Sequence, residues 1–249
     1  MSRIPNVNPI YCAVDTLDLM TATALIDRIA GGNRPAVGGI KLGLEFFLAH
    51  GAPGVRYAFP EPVRASGVGF FLDVKLHDIP NTVAGGIRAI AGLEPTYVTL
   101  HAGGGGAMMR AAVEEAGSCA AKLDIVRPKL LGVTVLTSMD EADLAATGVA
   151  DGPADQVKRL ALLARESGFD GVICSPLEIA MLRAECGPDF LLVTPGIRPA
   201  GSAVGDQKRV LTPAQAIAAG ANALVIGRPI TQADKPRDAA LAIARELES

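Results

Sequence analysis

Apolar and polar positions along this chain sort into eight short apolar runs separated by longer stretches of helical periodicity. The runs lie near "IYCAVD" (10–15), "GGIKLGL" (38–44), "GFFLDVK" (69–75), "TYVTLHA" (96–102), "LLGVTVLT" (130–137), "DGVICS" (170–175), "FLLVTPG" (190–196) and "ALVIGR" (223–228). Between them, segments such as "LMTATALIDRIAGG" (19–32) carry helix formers at helical spacing. Strand and helix alternate without a low-complexity linker. That order predicts an α/β chain folded as a single (β/α)8 TIM barrel, one domain over 1–249. A doubly wound open sheet is the structural alternative, but no G-x-G-x-x-G loop follows the first run.

The polar residues are not spread evenly over these runs. Asp15, Lys41, Asp73, Lys75, His101, Ser138 and Arg228 all fall at or near carboxyl ends of the predicted strands. In a barrel that rim is where active sites are assembled. The densest stretch is "FLDVKLHDIPNTV" (71–83), which starts as a buried strand and then carries Asp73, Lys75 and Asp78. Side chains alternate across a strand, so Asp73 and Lys75 share a face, with Cα atoms ~6–7 Å apart. Lys41 neighbours them if the strands close in chain order. An alternating array of Lys41, Asp73, Lys75 and an incoming Asp78 would give every charge an opposite partner, which ions taken out of water require. A structural ion-pair network, with Asp78 merely capping the helix that opens near Pro80, is the plainer alternative.

Two further segments point to a phosphate. "VIGRPIT" (225–231) ends the last run, where Gly227 lets backbone approach a ligand and Arg228 offers a planar fork. The loops after the seventh and eighth strands often hold phosphate in barrels. "TPGIRPAGSAVGDQKR" (194–209) is long and Gly-rich, and is expected to form a lid over about 195–209. Gly196, Gly201 and Gly205 would hinge it, and Gln207 supplies an amide that donates and accepts.

Composition narrows the classes. Of 249 residues 49% are hydrophobic, enough for a substantial core, and the net charge of −3 argues against a sequence-independent grip on nucleic acid. Cys12, Cys119, Cys174 and Cys186 are scattered and form no CxxC pair, so a reduced, cytoplasmic protein without a thiolate metal site is expected. The start "MSRIPNVNPI" lacks the apolar core of a signal peptide, and no apolar run nears the ~18 residues that span a bilayer. No membrane partner is expected.

The motifs "AVDT", "KLGLEFF", "DVKLHDIPNTV", "LTSMD", "TPGIRPAGSAVGDQKRV" and "IGRPIT" together resemble the orotidine 5′-phosphate decarboxylase family, from about Tyr11 to the last helix. The resemblance implies a (β/α)8 homodimer that converts orotidine 5′-phosphate to UMP and CO2 with no metal or organic cofactor. By the same resemblance Asp15 holds the ribose, and Lys41 bridges ribose hydroxyl and substrate carboxylate. Asp73 and Lys75 form the central pair, with Lys75 the proton donor. Asp78 enters the neighbouring subunit's site, accompanied by Ile79 and Thr82. Ser138 contacts the pyrimidine, Pro195 lines the base pocket, and Gln207, Gly227 and Arg228 grip the phosphate. His101 is expected to support loops at the rim, His77 to face away, and Cys174 to be a small core residue. Metal-dependent sugar-phosphate enzymes on the same barrel share D-x-K-x-x-D, but place an acidic metal ligand near the position of Lys41. A catalytically silent phosphate-binding barrel would not need the Asp73–Lys75 pair.

Overall fold

The computed structural model describes residues 8–32, 34–199 and 211–247. Eight parallel strands close into a barrel in strict chain order. They are β1 (Ile10–Val14), β2 (Gly39–Gly43), β3 (Gly69–Leu76), β4 (Tyr97–His101), β5 (Lys129–Val133), β6 (Gly171–Ile173), β7 (Leu191–Pro195) and β8 (Ala223–Ile226). The ring carries α1 (Leu19–Ala30), α2 (Leu44–Ala58), α3 (Glu61–Ala65), α4 (Pro80–Ile90), α5 (Gly105–Leu123) and α6 (Glu141–Ala146). It continues with α7 (Pro153–Glu166), α8 (Ile179–Cys186), α9 (Pro213–Ala218), α10 (Arg228–Thr231) and α11 (Pro236–Glu246). The expected (β/α)8 class is the observed one.

Local chemistry sets many of these boundaries. Proline opens α4, α7, α9 and α11, where its fixed φ suits a first helical turn and its missing N–H costs nothing. Asp18 caps α1 by accepting from the Thr21 N–H at 2.6 Å. Within α2, Gly51 adopts φ 59° and breaks the helix just before Pro53. Three strands end two or more residues before the apolar pattern suggests. Strand β5 stops at Val133, leaving 134–137 as rim loop, β6 stops at Ile173, and β8 stops at Ile226, with Arg228 beginning α10.

The core has two shells. Odd-numbered strand positions fill the barrel interior, where Tyr11, Phe71, Leu131, Val193 and Val225 pack together. Tyr11, Phe71 and Tyr97 meet edge-on or tilted at centroid distances of 5.0 to 6.1 Å, closing the lumen below the rim. Gly39 is required by this packing, since a Cβ there would sit 2.1 Å from the Tyr11 ring. Even-numbered residues such as Ile10, Ile40, Leu72 and Leu192 face the helices in the larger outer core. Burial of each such side chain contributes about 1.5–3 kcal/mol. With the lumen plugged, the polar residues at the carboxyl-end rim are the ones placed for ligand chemistry.

Candidate active site

Four ionisable side chains meet at the rim of β1, β2 and β3. Lys41 is paired in register with Ala13 and Phe71, and two residues further on Gly43 pairs with Asp73. Its ammonium therefore rises between two carboxylates, 3.3 Å from Asp15 Oδ1 and 3.3 Å from Asp73 Oδ2. The other oxygen of Asp73 accepts from Lys75 Nζ at 2.8 Å. The charges thus run Asp15, Lys41, Asp73, Lys75, minus and plus in turn.

Burial separates their roles. Lys41 is 8% exposed, and the side chain of Asp73 is 13% exposed, against 35% for Lys75. Burial alone would raise the Asp73 carboxyl. The Lys41 and Lys75 ammoniums, with hydrogen bonds from Lys75 and Thr99, outweigh it and hold Asp73 below the usual carboxylate range. Burial would likewise lower Lys41, but Asp73 and Asp15 overcome it and raise that ammonium above its ordinary value. Both groups stay charged in the interior because each stabilises the other.

The route by which Asp73 and Lys75 come together differs from a regular pleat. Leu72 pairs with Val98 and Leu76 with Leu100, so β3 spends four steps where β4 spends two. Within this bulge Lys75 adopts φ 50°, a left-handed conformation that costs a non-glycine residue about 1–2 kcal/mol. The sequence expectation of one shared face holds, but simple alternation is not the cause of the contact.

Asp15, Lys41, Asp73, Lys75, Pro195, Gly227 and Arg228 line one cavity of about 330 Å³, within the range of small-molecule sites. Phe71 and Val225 contribute to its apolar lining, along with Val133 and Ile173. Leu136 and Thr137 form part of the wall where Ser138 was expected; Ser138 is exposed and does not line the cavity. The β5 strand ends before this segment, so a turn rather than pleat alternation orients it. A Cβ on Gly227 would meet nothing nearer than Ala13 at 3.6 Å, so protein packing does not demand glycine there. Pro195 ends β7 at the cavity, while residues 200–209 of the expected lid, including Gly201, Gly205 and Gln207, lie outside the described residues.

Asp78 and Ile79 stand elsewhere. They line a shallow depression with His77, Pro80, Gly103 and Gly104. Ile79 is 66% exposed, and Thr82 on the first turn of α4 is exposed as well. The Asp78 carboxylate accepts from the Ile79 N–H at 2.7 Å, and no side chain caps α4, so the capping role is not observed. His101 packs its ring 5.1 Å from that of His77, and burial, then His77 and Lys75, depress its titration. Cys174 lines the cavity while 2% exposed, and burial pushes its thiol up to about 12, consistent with a small neutral packing residue.

Sequence reasoning missed Thr99 and Arg198. Thr99, fully buried, donates to Asp73 Oδ1 at 2.8 Å. In a strand a threonine reads as an ordinary β-former, and only its odd-numbered position hinted at an inward direction. Arg198 is 9% exposed and brings a second guanidinium to the cavity wall, while its backbone N–H bonds Leu211 O at 3.1 Å. Among the described residues no three His, Cys, Asp or Glu side chains cluster in a metal-holding arrangement, and no helix is long and apolar enough to cross a membrane.

Residues 10–243 match the model of the "Orotidine 5′-phosphate decarboxylase / HUMPS family". The chain belongs to this family. It is 55% identical over 240 residues to the orotidine 5′-phosphate decarboxylase of Rhodospirillum rubrum, covering 96% of this chain and 94% of that one. It is 53% identical over 241 residues to the protein of that name from Paramagnetospirillum magneticum, covering 97% and 99%. The fold matches the crystal structure of orotidine 5′-phosphate decarboxylase from Lactobacillus acidophilus with TM-score 0.83 at 37% identity, over 97% of this chain and 100% of that one. The family assignment thus covers the strands, the rim charges and the β8 end together.

Proposed function

We propose that this member of the decarboxylase family converts orotidine 5′-phosphate to UMP and CO2 without a metal or organic cofactor. The observation that carries the reading is the Lys75 ammonium, held 2.8 Å from Asp73 inside a cavity whose other wall contains Gly227 and Arg228. The phosphate would lie against Gly227 and Arg228, with Gln207 assigned to it by the family resemblance. The ribose would lie near Asp15 and Lys41, and the pyrimidine between Pro195 and the 136–138 turn. The apolar lining from Phe71, Val133 and Ile173 suits the faces of the base.

When the bond to the carboxylate breaks, its electron pair stays on an sp2 ring carbon that the ring delocalises poorly. CO2 departs, and Lys75 then donates a proton to that carbon. A fixed ammonium beside the nascent carbanion interacts more strongly with the transition state than with the substrate, which is the requirement for acceleration. Lys41 and Asp73 keep that ammonium in place before the substrate arrives. Asp73 would also face the substrate carboxylate; two like charges ~4 Å apart at an effective dielectric near 20 repel by about 4 kcal/mol. We rank this repulsion second to the Lys75 interaction.

Asp78, Ile79 and Thr82 are read as the residues that complete a neighbouring subunit's site in a homodimer. Their exposure, and their position outside this chain's own cavity, support that reading. A cytoplasmic setting fits the four free, buried thiols. The metal-dependent sugar-phosphate enzymes place an acidic metal ligand near the position of Lys41, and an ammonium there, paired with Asp15 and Asp73, favours the cofactor-free reaction.

The deciding assay follows loss of orotidine 5′-phosphate absorbance with purified protein and a chelator. Turnover should persist with chelator present, and Lys75→Ala should nearly abolish it while phosphate-dependent UMP binding survives. Near-normal turnover by Lys75→Ala would remove Lys75 as proton donor.

A further inference from the structure

We propose that Thr99 is a positioning residue for the Asp73–Lys75 pair, its single hydroxyl anchoring both partners from the neighbouring strand. The inference rests on the reading of Lys75 as the group that meets the developing carbanion.

The hydroxyl is fully buried and makes two hydrogen bonds in a fixed direction. It donates to Asp73 Oδ1 at 2.8 Å and accepts from the Lys75 backbone N–H at 3.0 Å. A hydroxyl has one proton to give, so the bond to Asp73 leaves its lone pairs for Lys75. Both contacts fall inside the bulge between Leu72 and Leu76, where β3 loses its ladder with β4. Without the ladder, the Lys75 N–H needs another acceptor, and its φ of 50° needs support from outside its own strand. Thr99 supplies both from β4.

The electrostatic consequence follows from which oxygen is held. Asp73 Oδ1 accepts from both Thr99 and Lys75, while Oδ2 faces Lys41. Charge alone fixes neither the rotation of the carboxylate nor the height of Lys75 above the rim. A directional bond from a rotamer-restricted β-branched side chain fixes both. Thr99 itself is absent from the cavity wall, so it acts through Asp73 and Lys75 rather than on substrate.

The test compares full-length wild type, Thr99→Val and Thr99→Ser. Valine preserves shape and β-branching but loses the hydroxyl; serine keeps the hydroxyl. For orotidine 5′-phosphate, kcat of Thr99→Val should fall about tenfold to a hundredfold. Its KM and the inhibition constant for UMP should change less than about threefold, because neither contact reaches the ligand. Thr99→Ser should return kcat to within about threefold of wild type. In the unliganded protein, the Asp73 carboxyl carbon and Lys75 amide resonances should move in Thr99→Val and return in Thr99→Ser. A Thr99→Val enzyme with kcat within twofold of wild type overturns the inference. So does a kcat loss that serine fails to rescue, or one matched by equal losses in UMP binding. If wild type itself does not turn over the substrate, the proposed function falls. The anchoring is then judged on the resonances, and unchanged signals in Thr99→Val overturn it.

Discussion

Lys41 Nζ stands 3.3 Å from Oδ2 of Asp73, on the oxygen that Lys75 does not bind. The central carboxylate is therefore clamped from both sides, and removing one clamp leaves a buried charge with half its compensation. Lys41→Met should destabilise the fold by about 3 kcal/mol, since breaking one side of a buried pair exposes the desolvation cost of the other. Adding Asp73→Asn to that variant should recover part of the loss. Urea denaturation of the single and double variants checks this; additive losses would show that the two groups are not coupled.

Stability at mildly acidic pH should carry a signature of His101. Burial, the His77 ring and the Lys75 ammonium disfavour its charged form in the folded chain, and its titration is lowered from the usual histidine value. The unfolded chain therefore binds more protons as pH falls through about 6.5, and stability falls with it. Above that pH the contribution is fully present. His101→Asn should flatten the decline in denaturation midpoint between about pH 7 and pH 5 relative to wild type. An unchanged slope would remove His101 as its source.

The same linkage has opposite signs for the clamped pair. Asp73 is depressed, so its contribution is present above about pH 4 and lost as pH falls through the folded value. Lys41 is raised, so its contribution is present below about pH 10 and lost only as pH climbs through its folded value. Between those limits neither should tilt the stability curve. Comparing wild type with the Lys41→Met, Asp73→Asn double variant over pH 5 to 9, roughly the span between those limits, should give parallel profiles.

Arg228, at the first position of α10 and on the cavity wall, is the residue proposed to hold the phosphate. Arg228→Ala should raise KM for orotidine 5′-phosphate by about tenfold or more, the loss expected for a charge-assisted hydrogen bond. The phosphate-free nucleoside should be processed no worse by the variant than by wild type. An equal loss for both substrates would place Arg228 away from the phosphate.

Asp78 faces outward on its own chain, so its role can be tested by exchange. Inactive Lys75→Ala and inactive Asp78→Ala proteins, mixed under conditions where subunits exchange, should regain activity. In the proposed homodimer, one site of each mixed pair then contains both native residues. With exchange verified, absence of recovery would mean that Asp78 serves its own chain.

The rim was legible because barrels impose a simple geometry on charge. Asp15, Lys41, Asp73 and Arg228 each follow an apolar run, and a polar residue at a strand's carboxyl end has few structural reasons to be there. Thr99 was not legible, because its importance depends on a partner across the sheet. Arg198 lay inside a segment read as a lid, where nothing periodic in the sequence marked its side chain as reaching the cavity wall. Ser138 was read from the "LTS" motif; the cavity wall beside it is formed by Leu136 and Thr137, in a turn beyond the end of β5 that pleat alternation does not describe.

The sequence by itself determined the alternation of strand and helix, the proline-led helix starts and the set of charges delivered to one end of the barrel. These depend on side-chain period and local backbone preference, which act over a few neighbouring residues. Only the tertiary structure decided that Lys41 sits between two carboxylates, and that β3 bulges so Lys75 can meet Asp73 with Thr99 holding both. Register between strands, burial and the balance of desolvation against ion pairing arise from residues far apart in the chain, and they exist only once the barrel closes.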